Sequence, residues 1–313
     1  MTVAEASVPT APDERRGYLI VLAAAMLWST SGVFMGYLTR TAGVPPLWVA
    51  FWRDGAAALL LAGGLGVLRP SLLRVSRRDL AFLTTFALLG LAWVEVVWTY
   101  SVAYNGASIA TVLAYTAPAF VALFSWKLFN EPIGWRMIAA IAVVIVGCAL
   151  VAQIVGAGAV RWNPGEIGVG LLGGIGFAVY GLFGKAAARR GINPWTTTAY
   201  VCGLAAVALL ALGVVLAWVG RGPARPVWAV SDDPQAWLYL ALLAIIPTLI
   251  GDSLYMIGMG YMRVSMASLI CSLEPVFTAA AAFVALGERL SPMQVTGSLI
   301  IVGAIVALQV KAS

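Results

Sequence analysis

Two acidic residues, each followed three positions later by an aromatic residue, point to chemistry in this sequence. Glu95 precedes Trp98, and Asp252 precedes Tyr255 at the same spacing. Side chains three positions apart lie on one face of a helix, so each pair would place a carboxylate beside an aromatic ring. Such a surface suits a cationic amine, which is attracted by the charge and by the ring face. The alternative is that both acids pair inside the protein and never meet a solute.

The composition places these acids within a membrane. Hydrophobic residues make up 62% of the chain and charged residues 10%, against about a quarter charged in soluble domains, and the mean hydropathy is +0.95. Apolar segments long enough to cross a bilayer occur ten times, and such segments must be helical. We therefore expect an all-α membrane protein with ten transmembrane helices. The spans are predicted at about 17–38, 48–68, 80–102, 107–126, 134–154, 166–187, 195–219, 237–260, 264–284 and 292–310.

The sequence repeats itself at an offset of 157 residues. Pro275 lies 157 positions after Pro118 (275 − 118), and Asp252 lies 157 positions after Glu95 (252 − 95). Each half contains five spans, which is an odd number, so the second half enters the membrane in the opposite direction to the first. Inverted repeats of this kind are typical of secondary transporters, which bind their solute near the middle of the membrane.

The repeat divides the chain into four parts: a tail at 1–16, a first repeat at 17–154, a linker at 155–165 and an inverted second repeat at 166–310. With ten spans, both termini lie on one side of the membrane. Of the 19 lysine and arginine residues, thirteen fall on that side and five on the other, and Arg53 is inside a span (13 + 5 + 1 = 19). The positive-inside rule therefore places both termini in the cytoplasm.

The ends of the two repeats resemble a known family. The first repeat contains NEP at 130–132 followed by IVG at 145–147, and the second contains GERLSP at 287–292 followed by IVG at 301–303. Together with Trp28 and SLEP at 272–275 in the ninth predicted span, this pattern is similar to the EamA family of the drug/metabolite transporter superfamily. The resemblance covers nearly the whole chain. It implies the ten-helix fold and a transport role, and it does not name the solute, since family members export amino acids and other small organic metabolites.

A solute cavity is expected between the two repeats. Polar and aromatic side chains in the middle of the spans, several of them at matched positions of the two repeats, are predicted to line it. These residues are Trp28, Ser31, Glu95, Trp98, Thr111, Tyr115, Tyr180, Asp252, Tyr255, Ser268 and Ser272.

Charged residues within the spans need partners, because each costs about 2.5–3.5 kcal/mol at the centre of a membrane helix. We predict that Arg53 pairs with Glu95 toward the outer side and that Lys185 pairs with Asp252 toward the cytoplasmic side, which would give one gating pair near each mouth of the cavity. The alternative for Arg53 is that its side chain extends to the interface.

Prolines are predicted to kink three spans, at Pro118, Pro247 and Pro275, because proline cannot donate the helical hydrogen bond. Glu274 precedes Pro275, whereas Ala117 holds the equivalent place in the first repeat. Helical spacing puts Glu274 on a different face from the polar residues nearby. It is therefore either a residue of a helix interface or, if the kink turns it toward the cavity, a proton-coupling carboxylate.

Two further acidic residues, Glu131 and Glu288, end short loops on opposite sides of the membrane, where we expect solvated turns or helix caps. The sequence has no histidine, which excludes histidine relays and metal–histidine chemistry. The three cysteines share no ligand spacing and are expected to be packing residues, so neither a metal nor a cofactor is predicted. They are Cys148, Cys202 and Cys271.

These features predict a secondary transporter that exports a small amphipathic metabolite, in the first place an amino acid, across a bacterial inner membrane by alternating access, with or without proton coupling. Efflux of aromatic or cationic toxic compounds and uptake of a metabolite are the alternatives within transport. An intramembrane enzyme would need catalytic groups that the sequence lacks, and the inverted repeat disfavours a channel. The expected partners are the solute, the lipid bilayer and protons, without nucleic acid, in a monomer or homodimer.

Overall fold

A computed structural model describes residues 11–153, 164–223, 225–228, 230–286 and 291–309 of the chain. Throughout these ranges the regular structure is helical. The α-helices are numbered in chain order: α1 Ala11–Trp28, α2 Ser31–Gly36, α3 Pro46–Leu68, α4 Arg77–Phe86, α5 Trp93–Ala114, α6 Ala117–Phe129, α7 Trp135–Val151, α8 Pro164–Arg189, α9 Pro194–Trp218, α10 Pro234–Leu243, α11 Ser253–Gly258, α12 Val264–Cys271, α13 Glu274–Leu286 and α14 Pro292–Gln309.

The described helices account for ten apolar segments. Two of these, Trp135–Val151 and Pro292–Leu308, are shorter than the rest. The other eight are long and apolar enough to cross a membrane, and the ten together confirm the predicted all-α architecture. The eight are Glu14–Thr41, Pro46–Leu68, Arg77–Ser101, Ala110–Phe129, Ile167–Arg189, Pro194–Trp218, Pro234–Gly258 and Val264–Ala281.

The third and fourth spans lie side by side and run in opposite directions, although helix α5 includes parts of both. A methyl group at Gly173 would touch Val97, and one at the neighbouring Gly174 would come within 2.9 Å of the Leu113 carbonyl oxygen. A straight helix would separate Val97 from Leu113 by about 24 Å. Because both contact adjacent glycines of α8, the chain must reverse between them. The join predicted at 103–106 lies within this interval.

The two halves of the chain exchange their first helices. Helix α1 packs against α11 and α12 of the second half, whereas α8, which opens the second half, packs against α5 and α6 of the first. Helix α3 packs against α9, and α7 packs against α14. This pattern of exchanged and paired helices is expected for two repeats related by a pseudo-two-fold axis.

Small residues allow the closest of these helix contacts. A methyl group at Gly297 of α14 would lie 2.6 Å from the carbonyl oxygen of Gly147 of α7, and one at Gly147 would lie 3.0 Å from the carbonyl oxygen of Gly297. The backbones therefore touch at this crossing, as is common where membrane helices cross at small residues.

Helix interruptions recur at matching positions of the two halves. The α-helix widens into π-helical turns at Ala87–Ala92 and Ala244–Asp252, which begin 157 residues apart (244 − 87). Short breaks follow α5, at Tyr115–Thr116, and α12, at Ser272–Leu273, again 157 residues apart (272 − 115). Widened turns and broken helices are found at binding sites of transporters and other proteins.

Two of the breaks lie just before the prolines that were predicted to cause them. Pro118 is the second residue of α6, and Pro275 is the second residue of α13, where a helix does not require a backbone N–H. The Thr116 hydroxyl donates a hydrogen bond to the Leu113 carbonyl oxygen at 2.6 Å, so the chain end of α5 is capped locally. Each proline therefore starts a new helix and does not bend a continuous one.

The third proline lies inside a helical segment. Pro247 belongs to the π-helical turn Ala244–Asp252 and cannot donate to the carbonyl of Leu243, four residues earlier. The Thr248 hydroxyl donates to that carbonyl at 3.0 Å. The Thr248 hydroxyl thus gives the Leu243 carbonyl a side-chain donor inside the widened turn.

Candidate functional site

Asp252 and Trp28 join the two repeats at the centre of the candidate site. The Trp28 indole Nε1 donates a hydrogen bond to Asp252 Oδ1 at 2.9 Å. Trp28 is the last residue of α1, and Asp252 is buried at the end of a π-helical turn. A methyl group at Gly251 would lie 3.0 Å from the indole ring, so the glycine allows Trp28 to approach closely.

Aromatic rings surround this carboxyl group. The rings of Trp28 and Tyr255 lie 4.9 Å apart, and those of Tyr255 and Tyr180 are stacked at 5.8 Å. Phe86 packs against Tyr180 at 5.4 Å. The Tyr180 hydroxyl is also within electrostatic range of the Asp252 carboxyl group. The result is a carboxylate with aromatic faces around it, drawn from α1, α8 and α11.

Arg53 connects two more acidic residues. Its guanidinium group donates to Glu95 Oε1 through Nη2, and its Nε donates to Asp54 Oδ1 at 3.1 Å. The ion pair predicted between Arg53 and Glu95 is thus present in the structure. Most of the Arg53 side chain is buried, which distinguishes this arrangement from an arginine that extends to the interface.

Glu95 and Asp252 were expected near opposite mouths of a cavity, and the structure places both near the same guanidinium group. Asp252 lies close enough to Arg53 and to Glu95 to interact with both electrostatically. The two acids are equivalent positions of inverted repeats, and both follow the centre of the third span of their repeat. Such positions converge near the axis between the repeats, which brings both acids into the neighbourhood of Arg53.

The predicted pair between Lys185 and Asp252 is not formed in the part of the chain that the structure describes. The Lys185 ammonium donates to the carbonyl oxygens of Met259 at 2.8 Å and Met262 at 2.7 Å. These carbonyls belong to the turn after α11, where the helix supplies no further N–H donors. A lysine near a helix C-terminus commonly donates hydrogen bonds to such carbonyls. Asp252 accepts a hydrogen bond from Trp28 instead.

Asp54 is the site residue that sequence reasoning missed. Its side chain is completely buried, and while Oδ1 accepts from Arg53, Oδ2 has no hydrogen-bond partner among the described residues. The thiol of Cys202 on α9 is within electrostatic range of Asp54 and Asp252. The signal in the sequence was the pair RD at 53–54, which puts a second charge in the same apolar helix.

The remaining predicted lining residues lie in other surroundings. Trp98 packs edge-on against Phe177 of α8, with ring centres 6.4 Å apart. Ser272, in the break after α12, donates to the Ser268 carbonyl oxygen at 3.3 Å. Ser31 begins α2, and Thr111 lies near the end of α5. The predicted residues that the structure brings together are Trp28, Arg53, Glu95, Tyr180, Asp252 and Tyr255.

Glu274 lies between the two broken spans. It begins α13, it is half-buried, and its carboxyl group is within electrostatic range of the Tyr115 hydroxyl at the end of α5. The thiols of Cys148 on α7 and Cys271 on α12 are nearby. Glu274 therefore lies where α7 and the ends of α5 and α12 come close to the start of α13.

Glu131 forms a contact between the repeats. Its carboxylate accepts hydrogen bonds from the backbone N–H of Val264 at 3.1 Å and from the Ser265 N–H at 3.4 Å and hydroxyl at 2.7 Å. Glu131 is 6% exposed, so it is a buried helix cap and not a solvated turn. The capped helix, α12, belongs to the other repeat. The equivalent residue Glu288 lies outside the described residues.

Comparison with known proteins gives this arrangement a family. A family model described as the EamA-like transporter family matches residues 15–153 and again residues 165–309. The chain belongs to the EamA-like transporter family. The resemblance drawn from the sequence is thereby confirmed, and the two separate matches agree with the two repeats of the fold.

Relatives of this EamA-like chain carry transporter names. A protein of Archaeoglobus fulgidus named as an uncharacterized transporter is 27% identical over 300 residues, which cover 94% of this chain and 96% of the relative. A protein of Clostridium kluyveri with the same name is 23% identical over 305 residues, 93% of each chain. One crystal structure of a protein superposes with a TM-score of 0.75 at 22% identity, over 95% of this chain and 98% of the other, and it supports the fold.

Proposed function

We propose that this EamA-like protein exports a small amphipathic metabolite with an amino group, in the first place an amino acid, across a bacterial inner membrane by alternating access. The observation that carries the proposal is the buried Asp252 carboxyl group, held between Trp28, Tyr180 and Tyr255 where the two repeats meet. On this proposal, the protein transports its solute and does not catalyse a reaction.

The chemistry of the site fits a zwitterion. An ammonium group would be attracted to Asp252 by charge and to the rings of Trp28 and Tyr255 through their faces. A solute carboxylate would compete with Glu95 for the Arg53 guanidinium, which can bind a carboxylate with two hydrogen bonds. Solute binding would then weaken the Arg53–Glu95 ion pair, which links α3 to α5.

The repeats, predicted at 17–154 and 166–310, support alternating access. If each repeat can adopt the conformation of the other, the site near the axis opens to one side and then to the other. The widened turns Ala87–Ala92 and Ala244–Asp252 and the breaks after α5 and α12 supply places where the spans can bend. Protons are the proposed coupling ion, and Glu274 is a candidate carrier because its carboxyl group lies between the broken spans.

Efflux of aromatic or cationic compounds is the second candidate, and a specific feature favours it. Three carboxyl groups, those of Asp54, Glu95 and Asp252, lie near one guanidinium group. The excess of acidic groups attracts a cation more strongly than a zwitterion. A solute with a positive charge and an aromatic ring would use both the excess charge and the surrounding rings.

The test uses the purified protein in proteoliposomes. Amino acids and aromatic organic cations are screened for a rise in the unfolding temperature, and each compound that binds is then measured in a flux assay. Asp252→Asn is expected to reduce that flux at least tenfold, while Asp232→Asn, a change at an exposed acid, leaves it unchanged. Equal flux in the wild type and in Asp252→Asn would disprove the proposed site. Reporter fusions within 69–79 test the proposed cytoplasmic termini, because this loop would also lie in the cytoplasm.

A further inference from the structure

We propose that Asp54 is the carboxyl group that binds the coupling proton. This inference rests on the proposed function, because it names the residue through which proton movement and solute movement are linked. Asp54 would hold a proton while the solute site is empty and would release it when an ammonium group binds beside Asp252.

An unsatisfied buried oxygen is the first observation. Among the described residues, two buried side-chain atoms lack a hydrogen-bond partner: Asp54 Oδ2 and the Ser253 hydroxyl oxygen. Both residues are 0% exposed, and Ser253 directly follows Asp252. Such atoms are rare in folded proteins and mark places where a further group belongs. A neutral carboxyl group without a partner costs far less than an unpaired carboxylate, so a proton on Oδ2 is the smallest change that stabilises this site.

The charges of the site give the second observation. If Asp54, Glu95 and Asp252 were all ionised, three carboxylates would face one guanidinium group, which leaves two negative charges in an apolar interior. Like charges at short range favour protonation of one carboxyl group. One proton reduces the excess to a single negative charge, which is the charge that an arriving ammonium group requires.

The hydrogen bonds of the neighbouring groups identify Asp54 as the carboxyl group that takes up this proton. Arg53 lies beside it on α3, and the helices packed against α3 bring Glu95 from α5, Cys202 from α9 and Asp252 from the turn before α11. Glu95 accepts from Arg53, and Asp252 accepts from Trp28. Of the three carboxyl groups, Asp54 is therefore the one with a fully buried oxygen that lacks a donor among the described residues.

Protons fit this site better than metal ions. In the described ranges, no group of three acidic, cysteine or histidine side chains converges closely enough to hold a metal. The Asp54 and Glu95 carboxylates bind different nitrogen atoms of Arg53, so the guanidinium group occupies the space that a cation would need. A proton needs only one oxygen atom.

The exchange of a proton for an ammonium group conserves the charge of the site. Before binding, protonated Asp54 leaves two carboxylates against Arg53, with a net charge of minus one. After binding, ionised Asp54 adds one negative charge and the solute ammonium group adds one positive charge, so these groups again sum to minus one before any carboxylate of the solute is counted. The proton leaves from Asp54 Oδ2 as the ammonium group arrives, and no other bond is made or broken.

The test measures the infrared C=O stretch of protonated carboxyl groups in the purified full-length protein without solute. We expect that Asp54→Asn removes one component of this absorption at pH 7 and that Asp54→Glu shifts its frequency. Asp232→Asn, at an exposed position, should leave the spectrum unchanged. A spectrum of Asp54→Asn that equals the wild type overturns the proposal. If Asp54→Asn fails to fold, the test rests on Asp54→Glu alone. A C=O frequency in Asp54→Glu that equals the wild type would then overturn the proposal.

Two comparisons identify the carrier and the ion. Glu274→Gln is expected to retain the component that Asp54→Asn loses, and the opposite result would assign the proton to Glu274. Replacing sodium with potassium in the buffer should leave the component unchanged, and its loss in sodium alone would indicate a cation site and overturn the proposal. Because the measurement uses no solute, its result is separate from the flux assay that tests the proposed transport.

Discussion

The carboxylate of Glu131 in the first repeat caps the N-terminus of α12 in the second, through the N–H groups of Val264 and Ser265 and the hydroxyl of Ser265. On the same side of the molecule, Arg189 donates to the Phe129 carbonyl oxygen at 3.1 Å, which ties α8 to α6. These contacts hold the two repeats together at the end of the bundle that is proposed to face the cytoplasm.

Loss of the Glu131 cap should loosen this end of the protein. Glu131→Ala leaves the first N–H groups of α12 without an acceptor and is expected to cost about 1–2 kcal/mol of stability. Glu131→Gln keeps one acceptor oxygen, so its stability should lie between that of the wild type and that of Glu131→Ala. The measurement is the thermal unfolding of the purified protein, with Asp232→Asn, a change at an exposed acid, as the control.

A second measurement tests whether the cap also controls opening. Ser268→Cys, introduced into a chain whose own cysteines are replaced with alanine, places a thiol at a buried position of α12. A maleimide reagent should label this thiol several-fold faster in the Glu131→Ala background than with Glu131 present. Equal labelling rates would show that the contact stabilises the fold without closing the site.

Lys185 is expected to act on the turn after α11 and not on Asp252. Lys185→Met removes the donors of two buried carbonyl groups, those of Met259 and Met262, and should cost about 1–3 kcal/mol of stability. In a double-mutant cycle with Asp252→Asn, the interaction energy should be within about 0.5 kcal/mol of zero, as for residues that share no partner. An interaction above about 1 kcal/mol would instead support an ion pair between the two residues.

The contact of α7 with α14 offers a matched pair of glycine substitutions. Gly297→Ala would bring a methyl group to 2.6 Å from the Gly147 carbonyl oxygen, whereas Gly303→Ala on the same helix meets nothing within 4 Å. We expect Gly297→Ala to lower stability by about 1–3 kcal/mol and Gly303→Ala to leave it unchanged or slightly raised. Thermal unfolding of the two variants in one detergent measures the difference, and equal values would contradict the close crossing.

The spans and the repeat could be predicted from the sequence because they depend on local properties. Apolar length determines the spans, and a constant offset relates Glu95 to Asp252. The aromatic residues of the site, Trp28, Tyr180 and Tyr255, could be selected because an indole N–H or a tyrosine hydroxyl in the middle of a span needs a hydrogen-bond partner. These inferences require no knowledge of how the helices are rotated against each other.

The contacts that the sequence did not reveal depend on that rotation. Asp54 and Arg53 are neighbours in the chain, and their shared environment emerges only when α3 is packed against α5 and α9. The cap at Glu131 joins residues 133 positions apart (264 − 131), and Lys185 was assigned to Asp252 because no local signal marks backbone carbonyls as its partners. Sequence spacing places residues on a helix face, but it does not say which face of another helix lies opposite.

The protein should tolerate the loss of all three charges of Arg53, Asp54 and Glu95 better than the loss of the arginine alone. Arg53→Met leaves the carboxyl groups of Asp54 and Glu95 buried without their cation, and breaking a buried pair in this way costs about 3–5 kcal/mol. The triple change Arg53→Met, Asp54→Asn and Glu95→Gln removes the uncompensated charges and should recover most of that loss, although solute transport is expected to be absent. Arg40→Met is the control, since Arg40 is exposed and its removal should alter stability by less than about 0.5 kcal/mol. Stability is measured as the fraction of monodisperse protein that remains after heating, and the idea fails if Arg53→Met is as stable as Arg40→Met.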